Sequence, residues 1–362
     1  MESFQFFGIS TVAYILAMVA YISYLVSKNS TVGVIATTLT VGGFIFQTIG
    51  FGIRWAEFNE LMQLGIIRAA PLANLYESLE FMVWCVILGY LLIEWKYKTR
   101  AFGAFITPIA GLALAFIEMS GMSRDLSPLV PALQSNWLLA HVLLSFVGYA
   151  GFSIAFAASI IYLALTTSNN RKSGAYIFWT GALGIFSIIL VALIIDFLVF
   201  RVAGVTYGQT ENHILEATFQ SESGFIVLLS YIGSLAFIGL LWRYGGSIIK
   251  KIADSFSISK EMLDDVTYKS IAVGFPIFGL GGLIIGAIWA EQAWGRYWSW
   301  DPKETWSLIL WFVYAFYLHA RFLRGWSGPK LAIVAVIGFG CMIFTYLGVN
   351  IFLSGLHAYG TL

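Results

Sequence analysis

The apolar residues of this chain come in long runs, not in the strict alternation of a half-buried strand or the narrow stripe of a soluble amphipathic helix. A helix needs about 20 mostly apolar residues to cross the hydrocarbon of a bilayer. On that rule ten segments predict spanning helices: 6–26, 32–53, 75–95, 101–118, 137–165, 175–200, 224–242, 270–290, 304–323 and 331–353. The segment 101–118 is short and contains Pro108, so the expected number is eight to ten. The fold class that follows is all-α, a polytopic integral membrane bundle of about ten transmembrane helices.

Composition agrees. Hydrophobic residues make up 59% of the 362 and charged residues 11%, against about 25% charged in a soluble domain. No soluble domain, nucleic-acid patch or low-complexity tract stands out. Glu2 is the only early charge, so the first run lacks the basic start of a cleavable signal and is expected to remain as a helix. Cys85 and Cys341 are the two cysteines, both within apolar runs. No CxxC occurs, so the chain has no thiol redox pair or haem-attachment site of its own.

The loop charges set an orientation. With the N-terminus outside, the inner segments hold 14 Lys and Arg and the outer ones 6. The positive-inside rule favours that arrangement. Both termini then lie on the outer face, periplasmic in a bacterium and lumenal in a thylakoid.

Within the outer segments, Trp55 to Gly65 mixes apolar and acidic residues and is expected to lie flat at the interface. Glu77 and Glu80 open the third helix. They read either as caps at a positive helix end or as functional acids at the membrane boundary. Ser135 or Asn136 is the expected N-cap of the fifth helix, which puts His141 about one turn inside it. The segment 243–269 is the most basic and is expected to be an inner loop.

Chemistry concentrates between Trp289 and Trp311, where 23 positions hold six of the thirteen tryptophans. The centre reads Trp294-Gly-Arg-Tyr-Trp-Ser-Trp-Asp-Pro-Lys-Glu-Thr-Trp306. Two readings stand: an interfacial belt, or a platform for a flat apolar ligand. Asp301, Pro302 and Glu304 form a helix start, with an acid at N-cap, Pro at N1 and Glu at N3. His141 and His357 fall level with this stretch, while His319 lies about 27 Å along the next helix, near the inner end. Each histidine alone has a structural account: capping, interfacial placement or solvation. Two of them at the depth of an aromatic cluster suit haem, whose iron takes axial nitrogens and whose ring stacks on aromatics. Its propionates need cationic partners, for which Arg296 and Lys303 are available outside and Arg321 and Arg324 inside.

At these residues the chain resembles the CcsA/ResC family, the haem-handling WWD-domain subunit of the system II cytochrome c synthetase. The likeness is carried by the tryptophan motif followed by Tyr317-Leu-His319-x-Arg321. It extends to Asn74-Leu-Tyr-Glu-Ser-Leu79, to Leu133-Gln-Ser-x-Trp137-x-x-x-His141-Val142, and to Leu263-Asp-x-x-x-Tyr268 before Gly274-Phe-Pro276. Gly348-Val-Asn350 and Leu356-His357-x-Tyr359-Gly360 complete it. Residues 1–53 match only as apolar helices, so the chain divides into N-terminal transmembrane helices (1–53) and a haem-handling membrane domain (54–362) bearing the WWD segment 289–311.

The resemblance implies cytochrome c biogenesis in the bacterial inner membrane or the thylakoid. Haem b is received at an inner site with His319 as one axial ligand. It then passes to an outer site ligated by His141 and His357. Arg296, Trp306 and Arg321 hold the macrocycle or its propionates, and Trp294, Tyr297, Trp298, Trp300 and Asp301 form the segment at the reacting centre. There the thiols of an apocytochrome c CxxCH add to the haem vinyls, a holocytochrome c synthase (haem lyase) activity. The implied partners are a CcsB/ResB-type membrane subunit, the apocytochrome, a thiol-reducing system and membrane lipid. Two alternatives stay open: a haem exporter with ligation done elsewhere, and a relative from the chaperone-fed maturation route. His213 has no counterpart in the resemblance and reads as a loop residue.

Overall fold

A computed structural model gives the structure of the chain. It describes residues 2–62, 71–72, 74–119, 126, 134–196, 198–199, 224–256, 258–349, 353 and 355. The described elements are helical: α1 (Ser3–Ser27), α2 (Ser30–Met62), α3 (Leu75–Tyr97), α4 (Gly103–Met119), α5 (Asn136–Thr167), α6 (Gly174–Asp196), α7 (Gly224–Leu240), α8 (Gly246–Ser255), α9 (Lys260–Phe278), α10 (Gly286–Trp294), α11 (Pro302–Arg324) and α12 (Pro329–Ile343). Wide π-type turns join α7 to α8 (Leu241–Gly245) and α9 to α10 (Gly279–Ile285) and extend α12 (Phe344–Gly348). Counting α7–α8 and α9–α10 as continuous rods, eight helices among the described residues are long and apolar enough to cross a membrane, and Gly103–Ala115 and Gly174–Ile188 add two shorter apolar ones. The chain is an integral membrane protein, a helical bundle as its apolar runs predict.

Two boundaries differ from expectation. The segment after Arg54 is not a separate flat helix, because α2 runs on to Met62. Its 33 residues reach about 50 Å, past a hydrocarbon layer of about 30 Å. The extra turns bury Phe58 against Trp289 and bring Glu57 to the start of α1, where it accepts from Ser3 N at 3.1 Å and Ser3 Oγ at 2.6 Å. The expected basic loop 243–269 is mostly helix: α8 fills 246–255 and α9 starts at Lys260, capped by Ser259. Charge marks this stretch as non-spanning, but apolar length says nothing about whether a polar end stays helical. Pro108 is accommodated inside α4.

The central helix is α5, buried along most of its length. It crosses α9 backbone against backbone. A Cβ on Gly151 would stand 2.7 Å from the Ser270 carbonyl oxygen, and one on Gly274 3.0 Å from that of Gly148. Small residues allow such approach where helices lack a hydrophobic drive to associate. One level along, Gly281 sits against Leu144. Phe152 stacks on Tyr314 of α11 at 3.8 Å between ring centroids, so α11 packs on the same core.

Several polar groups in the interior are paired, as an apolar surround requires. Arg54 of α2 meets Glu77 of α3 at 3.0 Å, with both side chains almost fully buried. Gln47 donates to the Glu80 carboxylate at 2.7 Å, and Tyr14 donates to Gln47 at 2.9 Å. Towards the other end of α3, Tyr90, Thr37 and Tyr21 all donate to Glu94, at 2.6, 2.8 and 3.2 Å. These bonds stitch α1, α2 and α3 together.

Gly151→Ala should cost roughly 1–3 kcal/mol, because the methyl meets backbone that cannot yield. Gly340→Ala, which would meet nothing within 4 Å, should leave stability unchanged or slightly raised. Thermal unfolding in detergent separates the two, and equal melting temperatures would refute the crossing. Arg54→Met should cost about 3–5 kcal/mol by stranding a buried carboxylate. Arg54→Met combined with Glu77→Leu should recover most of that loss in the same assay.

Candidate functional site

The site lies at the end of the bundle where α2 and α10 finish and α3, α5 and α11 begin. Ser135 caps α5 by accepting from Trp137 N at 3.2 Å. The same hydroxyl donates to Gln292 of α10 at 3.0 Å, which ties the start of α5 to the run-up to the tryptophan loop. His141 follows on α5, half-buried.

The wide turn between α9 and α10 decides how His141 is held. A π-type turn breaks the regular ladder and is often found at functional positions. Here the Gly281 carbonyl oxygen lies 2.8 Å from His141 Nδ1. A carbonyl only accepts, so Nδ1 carries the proton, and in the neutral ring the lone pair is on Nε2. Gly286 leaves room for the ring, since a Cβ there would stand 2.8 Å from Nδ1. Trp289, buried, lies nearly parallel to the imidazole at 15° and 5.9 Å. Trp294 meets Trp289 edge-on at 4.8 Å. Trp55, Phe58 and Leu138 close the back of this cluster.

The loop from Gly295 to Asp301 then turns the chain into α11. Gly295 ends α10 with φ 72°, a conformation that costs a residue with a Cβ about 1–2 kcal/mol. Trp300 bears that cost, with φ 59°, and the residue is 70% exposed. Tyr297 is 61% exposed, and Arg296 beside it is exposed too. Trp298 is half-buried and meets Trp300 edge-to-face at 5.8 Å. Its indole Nε1–H is buried with no acceptor among the described residues. An exposed bulky ring on a strained backbone is unfavourable on both counts, and such strain clusters at functional sites.

The capping box read from Asp301 and Glu304 is present. Asp301 accepts from Lys303 N at 2.9 Å. Glu304 accepts from Ser299 N at 2.7 Å and Asp301 N at 3.2 Å. Both carboxylates are buried, with bonds that suit caps. Trp306 packs on Phe344 at 4.3 Å, and its carbonyl accepts from Thr345 Oγ1 at 3.2 Å. That contact holds the wide turn of α12 beside the loop. Gly355 lies against the Asp301 carboxylate and the Pro302 ring, so the chain two residues before His357 is at this site. His357 and His213 lie outside the described residues.

The other quoted segments converge as pairs. Asn74 caps α3 by accepting from Glu77 N at 2.8 Å. Tyr76 lies under the Arg54 guanidinium at 5.9 Å, Glu77 pairs with Arg54, and Ser78 shares a 2.5 Å hydrogen bond with Tyr346. Glu77 is therefore half of an ion pair as well as a first-turn acid. At the far end of α11, Arg321 makes two bonds to Asp264, at 3.0 and 2.8 Å, and stacks on Tyr268 at 4.5 Å. His319 is exposed there, on a face with Phe312, Phe316 and Leu323. So His141 and the tryptophan loop come together, and His319 and Arg321 lie apart from them at the opposite end.

Gly281 and Gly286 were not singled out from the sequence. The run Gly279-x-Gly281-Gly282-x-x-x-Gly286 is the signal that could have flagged a close approach, but glycines are common in membrane helices.

The profile of the family described as Cytochrome C assembly protein matches residues 72–357. Curated relatives named cytochrome c biogenesis protein CcsA match over most of their length. The one from Microcystis aeruginosa is 36% identical over 311 residues, covering 85% of this chain and 82% of its own. The one from Synechococcus elongatus is 37% identical with the same coverage. That from Gloeobacter violaceus is 35% identical over 313 residues, covering 85% and 81%. This chain belongs to the CcsA family. Its place is therefore in cytochrome c biogenesis. The profile match begins just before α3, so it takes in both His141 and the whole tryptophan loop.

Gly286→Ala should push the imidazole off the Gly281 carbonyl while sparing the fold, because a ring can move where backbone cannot. Carbethoxylation of His141, followed by mass spectrometry, should quicken several-fold with little change in melting temperature. An unchanged rate would mean that the glycine does not seat the ring.

Proposed function

We propose that this chain carries haem b across the membrane and presents it at the tryptophan loop, where an apocytochrome c CxxCH is joined to it by two thioethers. Haem here is the cargo and substrate. The observation that carries the reading is the bond from His141 Nδ1 to the Gly281 carbonyl, which fixes the tautomer with its lone pair on Nε2, the arrangement an axial iron ligand needs. The surroundings fit the same group. Trp289 lies along the imidazole with Trp294 packed on Trp289, Trp300 and Tyr297 offer open faces for a macrocycle, and the Trp298 indole has a donor suited to a propionate. Arg296 is a cation at the rim.

In this reading His357 supplies the second axial ligand of the outer site. The segment that reaches it passes Asp301. His319 takes haem at the inner site, and its exposure leaves the opposite axial position to a CcsB/ResB-type subunit. Arg321 is held by Asp264 and Tyr268, so it shapes the inner site more readily than it clamps a propionate there. The positive-inside distribution puts the tryptophan loop and both termini on the periplasmic or lumenal side, where a translocated apocytochrome and its thiol-reducing system meet the site. Each thiol adds across a vinyl: sulfur bonds to the carbon next to the ring and hydrogen to the outer carbon, with no net change in electrons. Rate comes from holding thiol and vinyl together. Asp301 belongs to the reacting segment as the cap that ends the loop, not as an acid.

Co-expression with the partner subunit and a CxxCH reporter should give covalent cytochrome, scored by haem stain after denaturing electrophoresis. His141→Ala and His357→Ala should each abolish it, and Trp300→Ala should reduce it at normal protein levels. His319→Ala should lower the haem content of the purified complex. Covalent cytochrome from His141→Ala would refute the outer site. Haem loading without any covalent product from wild type would favour an exporter alone.

A further inference from the structure

Trp300 has a conformation that its own chemistry disfavours. A residue with a Cβ rarely adopts φ 59°, and a tryptophan that is 70% exposed gains little from packing. Something outside the residue must hold it. The atoms that do so belong to Glu304, one turn into α11. Its Oε2 accepts from Ser299 N at 2.7 Å and from Asp301 N at 3.2 Å. Ser299 Oγ lies 3.1 Å from both carboxylate oxygens. These are the residues on either side of Trp300. Thr305 Oγ1 completes the bracket at the Trp300 carbonyl, at 3.4 Å. A plain capping box needs only the Asp301 amide; the bonds to Ser299 exceed what ending a helix requires.

We propose that Glu304 is a positioning residue, whose carboxylate locks Ser299 and Asp301 so that Trp300 stays left-handed with its ring turned out as a seat for a flat ligand. Removing the carboxylate lets φ of Trp300 return to the favoured side and swings the indole away from Trp298. The choice of ligand rests on the haem reading; the locking does not.

The test uses the full chain in detergent, with His319→Ala as background so that only the outer site is counted. Two readouts are taken. The first is the near-ultraviolet circular dichroism couplet of the edge-to-face pair Trp298 and Trp300, identified by its loss in Trp300→Phe. The second is titration with ferric haem b. Glu304→Ala should erase the couplet and weaken haem binding roughly tenfold, the scale of one lost aromatic contact. Glu304→Gln keeps an oxygen where both amides point and should retain the couplet. In a Trp300→Ala chain, Glu304→Ala should add no further loss of haem affinity. Ser259→Ala, which removes the cap of α9, controls for helix capping and should change neither readout.

A couplet that survives Glu304→Ala overturns the proposal, as does a haem effect that multiplies in full with that of Trp300→Ala. If the couplet responds as expected but haem titration is indifferent to both Trp300→Ala and His141→Ala, the positioning role stands and the haem reading of this site falls.

Discussion

The close crossing of α5 and α9 is the constraint on which the rest depends. At Gly148, Gly151 and Gly274 there is no side chain between the two backbones, so the helices cannot slide or rotate without collision. Packing of this kind is bistable or fixed rather than continuously adjustable. Further along the same seam, the fixed register delivers the Gly281 carbonyl to His141. The wide turn presents the carbonyl, which also accepts from Gly286 N, and the crossing supplies its position. Neither would hold an imidazole alone.

Around that seam the molecule places paired charges at joints between helices, one pair buried and one partly exposed. Arg54 with Glu77 fixes the end of α2 to the start of α3, and Arg321 with Asp264 fixes the far end of α11 to α9. A buried pair such as the first contributes little net stability over apolar packing, because both ions lose water. What it does supply is specificity, since only one register leaves no charge stranded. The first joint lies beside Trp55 and Phe58, which back the His141 cluster. The second lies within one turn of His319. Both histidine-bearing ends are thus braced by ion pairs, while the middle of the bundle relies on aromatic stacking such as Phe152 on Tyr314.

The tryptophan loop bears on the choice between an interfacial belt and a ligand platform through the surroundings of each ring. Belt tryptophans anchor by lying freely at the headgroups. Here Trp289 is fully buried, Trp294 packs on it, and Trp306 packs on Phe344. Trp298 is half in, and Trp300 is strained and turned out. Such different environments along one short stretch suit a walled site better than a belt. The family's role in cytochrome c biogenesis is consistent with a large flat ligand there.

Taken alone, the sequence determined the helical class, the membrane, the family and the start of α11. Apolar length, local capping chemistry at Asp301-Pro302-x-Glu304 and a long motif are all properties of contiguous residues. It could not say that α2 continues past Arg54, because a charged residue ends an apolar run without ending a helix. The partners of Glu77, Arg321 and His141 were likewise hidden. Each lies on a helix distant in the chain, and each is chosen by which faces the glycine seam allows to meet. The left-handed Trp300 is the clearest case: nothing about a tryptophan announces positive φ, and only the bonds from Glu304 to its neighbours make that conformation hold.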